Sequence, residues 1–288
     1  MLYYSITAGY KQALYHYIGD TSKSFSYFYN NVFPKWFFQA LEDNVIDDNT
    51  FKLISNLGDF INMNDIAYYE KTSNKKVIIK RKPSTIRPIS ITLPRLSSIQ
   101  QARIDELYTG DIDTVYFLQS LYEGLSGSAN FLSVPPIIKE GLIECFGSPF
   151  NTSNQYCSAF SIEKKYFKSL GSFFDYKFKS NTNYIMNPPF DELTMKLATV
   201  KCFDALANVK NITIIITFPS WYDTESVKML KNSEYLHSTL LLSKNQYPYF
   251  NYYTMKYIQC CDTLLFVITN DKECKYNAKD IAQVWLNI

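Results

Sequence analysis

The stretch that decides the fold is NYIMNPPFDELTMKLATVKCFDALANVKNITIIITF, residues 183–218. It opens on a short β-rich run, NYIM (183–186), and closes on ITIIITF (212–218), a nearly continuous apolar run rich in β-branched residues. A strand of that composition has both faces buried, as in a sheet covered by helices on either side. Between the two runs lies DELTMKLATVKCFDALANV (191–209). Its Leu193, Leu197, Val200, Phe203 and Leu206 recur at helical spacing, which predicts an amphipathic helix with those residues on one side. Strand, loop, helix and strand make a βαβ unit, whose second strand lies parallel to the first after a right-handed crossover.

The flanking sequence extends the pattern. Downstream, HSTLLLS (237–243) and DTLLFVIT (262–269) read as further buried strands. Upstream, LIECF (142–146), YCSAF (156–160) and FFDYKF (173–178) are strand candidates. Seven candidates built around such a unit predict a doubly wound α/β domain over residues 126–288. Residues 1–125 differ in texture and are expected to form a mainly helical domain. Phe33, Trp36, Phe37 and Leu41 fit one helix face, and Phe51, Leu53, Ile54, Leu57 and Ile61 another. A short basic strand follows in KKVIIKRKPSTIRPISI (75–91), whose two prolines end regular structure. A helix is expected over about 95–123, with Gly110 as a point where it breaks.

Composition limits the function classes. The chain has 288 residues, 47% of them apolar, and a net charge of +2 with only 19% charged residues. That balance excludes a protein that coats nucleic acid non-specifically and leaves only a local patch for phosphate contact. The densest cations are Lys75, Lys76, Lys80, Arg81, Lys82 and Arg87, which serve either phosphate contact or a lysine-guarded strand edge. The 24 tyrosines and 21 phenylalanines could stack on bases, or reflect AT-rich coding. The six cysteines include no C-x-x-C pair, and His16 and His237 stand alone, so no metal site is expected. There is no secretory signal pattern and no apolar run long enough to cross a membrane. The chain is therefore expected to be intracellular, in nucleus or cytoplasm, with no membrane partner.

The loop of the βαβ unit, Asn187-Pro188-Pro189-Phe190, sits where open α/β sheets bind ligands, at the carboxyl end of a strand. Its residue types suit an exocyclic aromatic amine. Such a nitrogen is a poor nucleophile because its lone pair is delocalised into the ring. Two acceptors aimed at the NH₂ favour a more tetrahedral nitrogen as positive charge develops there. The Asn187 side-chain oxygen is one acceptor, and the Pro188 carbonyl, in a rigid Pro-Pro turn, is the other. Phe190 offers a face for the base. The same tetrapeptide also occurs as an ordinary turn between two elements.

At the first strand a glycine-rich G-x-G loop is missing. IECFGSPFN (143–151) stands in its place, with Glu144, Phe146, Gly147, Ser148, Pro149 and Asn151 as candidates for cofactor contact. The same segment also reads as a plain strand-to-turn exit. Asp175 either accepts from a cofactor's adenine or ribose, or caps a loop.

These segments resemble a known family. IECFGSPFNTSNQYCSAF (143–160), FFDY, MNPPFDE (186–192) and ITFPSW (216–221) are similar to the catalytic domain of the phosphorylated-CTD-interacting-factor family of cap-specific adenosine N6-methyltransferases. The similarity runs from LYEGLSGS (121–128) to the DTLLFVITND strand. It implies a Rossmann-like class I methyltransferase sheet and S-adenosylmethionine as methyl donor. It implies as substrate the first transcribed adenosine of capped mRNA. It carries the catalytic and donor-site quartet onto Asn187, Pro188, Pro189 and Phe190, and substrate contacts onto Glu192 and Trp221. Tyr222-Asp223 stands where the family tends to have an Arg-Glu pair, so cap contacts are sought instead at Arg81 and Arg87. Trp36, Trp221 and Trp285 are too scattered for a WW domain, so a compact form without one is expected, and recruitment to the polymerase tail is not implied. The same chemistry would serve DNA or internal RNA sites, and an inactive RNA-binding paralogue is the alternative outside catalysis.

Overall fold

In a computed structural model of the chain, the described residues are the strand backbones 66–72, 76–81 and 89–92, residues 95–110, helical positions 114, 115, 118, 119 and 122, and residues 132–288 except 153 and 191. The expected helices over 33–61 lie outside them, as do Lys75, Arg87 and the side chain of Arg81. By their contacts the residues fall into two units, Met1–Leu96 with Thr109–Asn130, and Ser97–Tyr108 with Phe131–Ile288.

In the first unit, β1 (Ile66–Thr72), β2 (Lys76–Arg81) and β3 (Ile89–Thr92) form an antiparallel meander. The basic stretch is thus a hairpin rather than one strand, with β2 ending at Arg81 and β3 starting at Ile89. Pro83 and Pro88 lie outside the described residues.

The second unit begins with α1 (Ser98–Leu107), which opens on a capping box between Ser97 and Gln100 and closes at Tyr108, ahead of Gly110. Gln100 Nε2 donates to the Phe150 carbonyl at 3.0 Å and Arg103 to the Asn154 carbonyl at 2.7 Å, which ties α1 to this unit. The remaining elements are β4 (Leu132–Ser133), α2 (Pro136–Lys139), β5 (Ile143–Glu144), α3 (Ser161–Tyr166), β6 (Thr182–Met186), α4 (Glu192–Asn208), β7 (Ile212–Pro219), α5 (Glu225–Lys231), β8 (Leu236–Leu242), β9 (Tyr249–Asn251), β10 (Lys256–Ile258), β11 (Thr263–Thr269) and α6 (Ala278–Leu286). The main sheet has the order β5-β6-β7-β11-β8. β5, β6 and β7 are parallel, and β11 runs antiparallel between β7 and β8. Beyond β5 the ladder continues irregularly. Cys157 N donates to the Glu144 carbonyl at 2.8 Å, and Leu170 N to the Tyr156 carbonyl at 2.9 Å.

Strand alternation splits the core into two layers. Tyr184 and Met186, Ile214 and Ile216, and Leu264 and Phe266 face Met195, Ala198 and Cys202 of α4 and Val227 and Leu230 of α5. Ile185, Ile215, Leu265 and Val267 face Ile138 of α2 and Ala278, Ile281 and Trp285 of α6. This mixed sheet between helical layers is an α/β, Rossmann-like class I methyltransferase fold.

The structure corrects the sequence reading of this unit in four places. α4 buries Thr194, Met195, Ala198, Cys202, Ala205 and Leu206, while Leu197 and Val200 are each 47% exposed. Of the predicted face Leu206 is buried and Phe203 packs against the core, but the rest of the buried side consists largely of small or polar residues that apolar periodicity does not mark. FFDYKF is not a strand. Phe173–Asp175 form a 3₁₀ turn capped by Ser172, and Phe173, Tyr176 and Phe178 join an aromatic cluster with Tyr184. β8 is an edge strand whose residues alternate between half-buried and exposed, rather than a strand covered on both faces. YCSAF contributes an isolated parallel bridge, Tyr156 to Glu144, before α3 begins.

Candidate active site at the ends of the parallel strands

Because β5, β6 and β7 are parallel neighbours, the loops that follow them leave the same sheet edge. These loops are 145–151, 187–190 and 220–222. This edge is the usual ligand site of an open α/β sheet. The register brings the first two loops together, since Cys145 N donates to the Ile185 carbonyl at 2.8 Å.

The loop after β5 satisfies its own polar groups. The Asn151 side-chain oxygen accepts from Ser148 N at 2.8 Å and from Ser148 Oγ at 3.2 Å. Ser148 Oγ in turn accepts from Phe150 N. Gly147 is needed by close approach: a Cβ there would lie 2.9 Å from the Tyr156 Cβ. Gly147, Ser148 and Pro149 are buried, while Phe146 and Asn151 are half-buried. Glu144, a candidate for cofactor contact, is turned inward instead. One of its oxygens lies 2.9 Å from Lys139 Nζ, and the other accepts from the Thr152 hydroxyl. Lys139 Nζ also donates to the Asn151 carbonyl at 2.8 Å and to Ser133 Oγ at 3.2 Å. A buried lysine, unmarked in the sequence, therefore joins the strand end to the loop. Its only signal was its spacing of five from Glu144. Beside the loop, Phe146 packs on Phe173 with centroids 4.8 Å apart, and Phe174 is 44% exposed next to it. Asp175 is exposed on the adjoining 3₁₀ turn.

The loop after β6 is more open. Asn187 and Phe190 are half-buried, Pro188 is buried and Pro189 exposed. Asn187 Oδ1 accepts from the Thr217 hydroxyl on β7 at 2.9 Å. Phe190 meets Tyr249 edge-on at 6.3 Å, so part of its ring serves the core. Thr217 went unread because it sits inside ITIIITF. A polar residue near the carboxyl end of an apolar strand, two places after Ile215, was the available sign. Glu192 is exposed in the first turn of α4.

After β7, the Trp221 carbonyl accepts from Thr224 N and Thr224 Oγ1, which fixes a turn. That turn leaves Trp221 45% and Tyr222 46% exposed. Lys231 Nζ stands 4.2 Å from the Tyr222 ring centroid. Arg81 ends β2 in the other unit. Among the described residues no group of three or more His, Cys, Asp or Glu could hold a metal, and no helix is long and apolar enough to cross a membrane. Cys145, Cys157 and Cys202 are buried, and burial pushes their thiol pKa values up, that of Cys157 to about 12.

The fold is that of a class I methyltransferase sheet, with the loops after β5 and β6 brought together by register. Comparison with known proteins agrees with this class. The family model described as Phosphorylated CTD interacting factor 1 WW domain matches residues 139–252. That stretch runs from the end of α2 through β9 and includes all three loops. The match overturns the expectation of a form lacking the WW segment. That expectation rested on the scatter of three tryptophans, whereas the matched stretch contains only Trp221. The human mRNA (2'-O-methyladenosine-N(6)-)-methyltransferase is 32% identical over 143 residues, 45% of this chain and 19% of that protein. The mouse protein of the same description is 32% identical over 111 residues, 37% of this chain and 15% of its own length. The matched regions thus span less than a fifth of each relative. A solved structure of Thermoplasma acidophilum 1320 overlaps 61% of this chain and all of its own, at 13% identity and a TM-score of 0.28, too slight a likeness to define a fold.

Proposed function

We propose that the chain is an S-adenosylmethionine-dependent methyltransferase acting on the exocyclic N6 amine of adenine in RNA, at the first, cap-adjacent nucleotide. The observation that carries this reading is Asn187, an amide held at the end of β6 beside the loop after β5. The relatives that match this region are described as mRNA N6-methyltransferases.

The residues present suit the donor. Phe146 and the exposed Phe174 offer ring faces for its adenine, and the exposed Asp175 carboxylate can accept from ribose hydroxyls. The backbone of residues 147–151 borders the same space, and Glu144 acts by holding that backbone through Lys139. When bound, the donor supplies an electrophilic methyl group. Asn187 Oδ1 and the Pro188 carbonyl accept from the target NH₂ and stabilise the charge that develops on nitrogen. Phe190 flanks the base, and Trp221 stacks on it or on its neighbour. Glu192 borders the same loop as a substrate contact. Holding amine and methyl in line supplies much of the remaining acceleration.

Arg81 and Arg87 are assigned to the triphosphate bridge of the cap, since the planar guanidinium pairs with phosphate at two points where Lys cannot. The test uses the full chain, labelled donor and matched capped and uncapped RNAs that begin with A. Preference for the capped RNA, reduced by Arg81→Lys or Arg87→Lys, is expected. Equal labelling of both RNAs removes the cap from the account. Labelling of DNA or internal adenines alone redirects the substrate.

A further inference from the structure

We infer that Thr217 is a positioning residue that sets the plane of the Asn187 carboxamide, and through it the point at which a target amine must sit. The inference rests on the role of Asn187 proposed above.

Rotation about the terminal torsion of asparagine is broad, so the backbone at Asn187 does not by itself aim the oxygen. An amide oxygen accepts close to its own plane, along either of two lone-pair directions. Filling one direction with a fixed donor therefore fixes the other. Thr217 supplies that donor at 2.9 Å, and among the described residues it is the hydrogen-bond partner of the Asn187 carboxamide.

The pairing follows from strand register. Met186 lies opposite Ile216 in the parallel β6–β7 ladder, so Asn187 and Thr217 are neighbours one step further on. Both fall on the face of Ile185 and Ile215. Thr217 is wholly buried in a largely apolar strand, where a hydroxyl is disfavoured unless it is bonded.

Tyr249, on β9, belongs to the same buried cluster as Ile185 and Ile215, and its hydroxyl lies 3.1 Å from Thr263 Oγ1. Thr263 Oγ1 donates to the Cys261 carbonyl at 3.2 Å. Burial pushes the Tyr249 pKa up, so its phenol stays neutral and can donate. Since the Thr263 proton goes to the Cys261 carbonyl, the Tyr249 proton goes to Thr263 Oγ1, and Thr217 gives its own to Asn187. The edge-on contact of Phe190 with the Tyr249 ring links the same tyrosine to the end of the N-P-P-F loop. Thr217 and Tyr249 are thus both anchored in strands, on β7 and β9.

The test compares Thr217→Val and Thr217→Ser in the full chain. Valine keeps the shape and strand preference of threonine and removes the hydroxyl, while serine keeps the hydroxyl. Thr217→Val is expected to lower kcat on adenine-first RNA by about 10- to 10²-fold, the range that follows from a small misplacement of a reacting group. Its donor Kd should be unchanged, and Thr217→Ser should stay within threefold of wild type. In ¹⁵N-asparagine-labelled protein, the Asn187 side-chain amide resonances, assigned by their loss in Asn187→Ala, should shift in Thr217→Val and hold in Thr217→Ser. Valine at wild-type kcat, serine as impaired as valine, or amide resonances indifferent to the hydroxyl would each overturn the inference. A wild-type chain that methylates no adenine but shows the hydroxyl-dependent shift leaves Thr217 as the anchor of the amide, and the proposed activity is what fails.

Discussion

The loops at the sheet edge follow two opposite plans. The loop after β5 closes on itself. Ser148 and Asn151 pair, and Lys139 and Glu144 make a buried ion pair beneath them. The loops after β6 and β7 instead leave Asn187 half-buried and Trp221 and Tyr222 exposed. The first plan yields a rigid wall whose backbone can border a ligand. The second leaves side chains with unused capacity at the same edge, and in the proposed mechanism these make the contacts that matter in the transition state. Substitutions on the first side should therefore act on stability, and those on the second on turnover and substrate binding.

The largest effect is expected at the buried pair. Removing one partner with Lys139→Met leaves a buried carboxylate without its cation, which costs about 3–5 kcal/mol. Chemical denaturation should show this loss. A cost under about 1 kcal/mol would mean that water reaches Glu144 and the wall is not closed. Next is Gly147→Ala, whose Cβ would meet the Tyr156 Cβ at 2.9 Å. Overpacking of that kind costs roughly 1–3 kcal/mol, again read in denaturation. An unaltered midpoint would show that Tyr156 shifts freely.

Trp221→Ala should break the symmetry between the two sides. Its stability should stay within about 0.5 kcal/mol of wild type, as at other exposed sites. RNA affinity should weaken by roughly 1–3 kcal/mol if the ring stacks on a base. The reverse pattern, lost stability with intact affinity, would make Trp221 a core residue. The smallest effect concerns the thiols. The exposed Cys260 has its pKa lowered by its interaction with the neighbouring Cys261 thiol, which favours its thiolate. Iodoacetamide at pH 7 should label Cys260 first and leave the buried Cys145, Cys157 and Cys202 unmodified, with the Cys260 rate falling as pH drops below 7. Mass spectrometry of tryptic peptides reads the order of labelling.

Much of this contrast was legible in the sequence, and the reasons for the rest are physical. The strand–loop–helix–strand unit was readable because ITIIITF admits burial on both faces and N-P-P-F can hardly continue a helix or a strand. The edge position of β8 was not, since a run such as HSTLLLS has the same apolar content whether or not a neighbour covers it. The buried side of α4 was misread because Ala198, Cys202 and Ala205 carry little hydrophobic signal although they permit the closest packing. The N-P-P-F residues were singled out as candidates from their chemistry. Lys139 and Thr217 were not, because each acquires a role only through register: Lys139 from the turn into β5, and Thr217 from lying beside Asn187 across two strands.

The central claim is that Asn187 accepts from an adenine amine at the moment of methyl transfer. The most direct measurement is nucleoside mass spectrometry of adenine-first RNA after incubation with S-adenosylmethionine and either wild-type protein or Asn187→Ala. The account predicts N6-methyladenosine with wild type, a loss of about 10²–10³ in kcat for Asn187→Ala, and an unchanged unfolding midpoint. Turnover of Asn187→Ala within threefold of wild type, or a methyl group found on an atom other than N6, would contradict it.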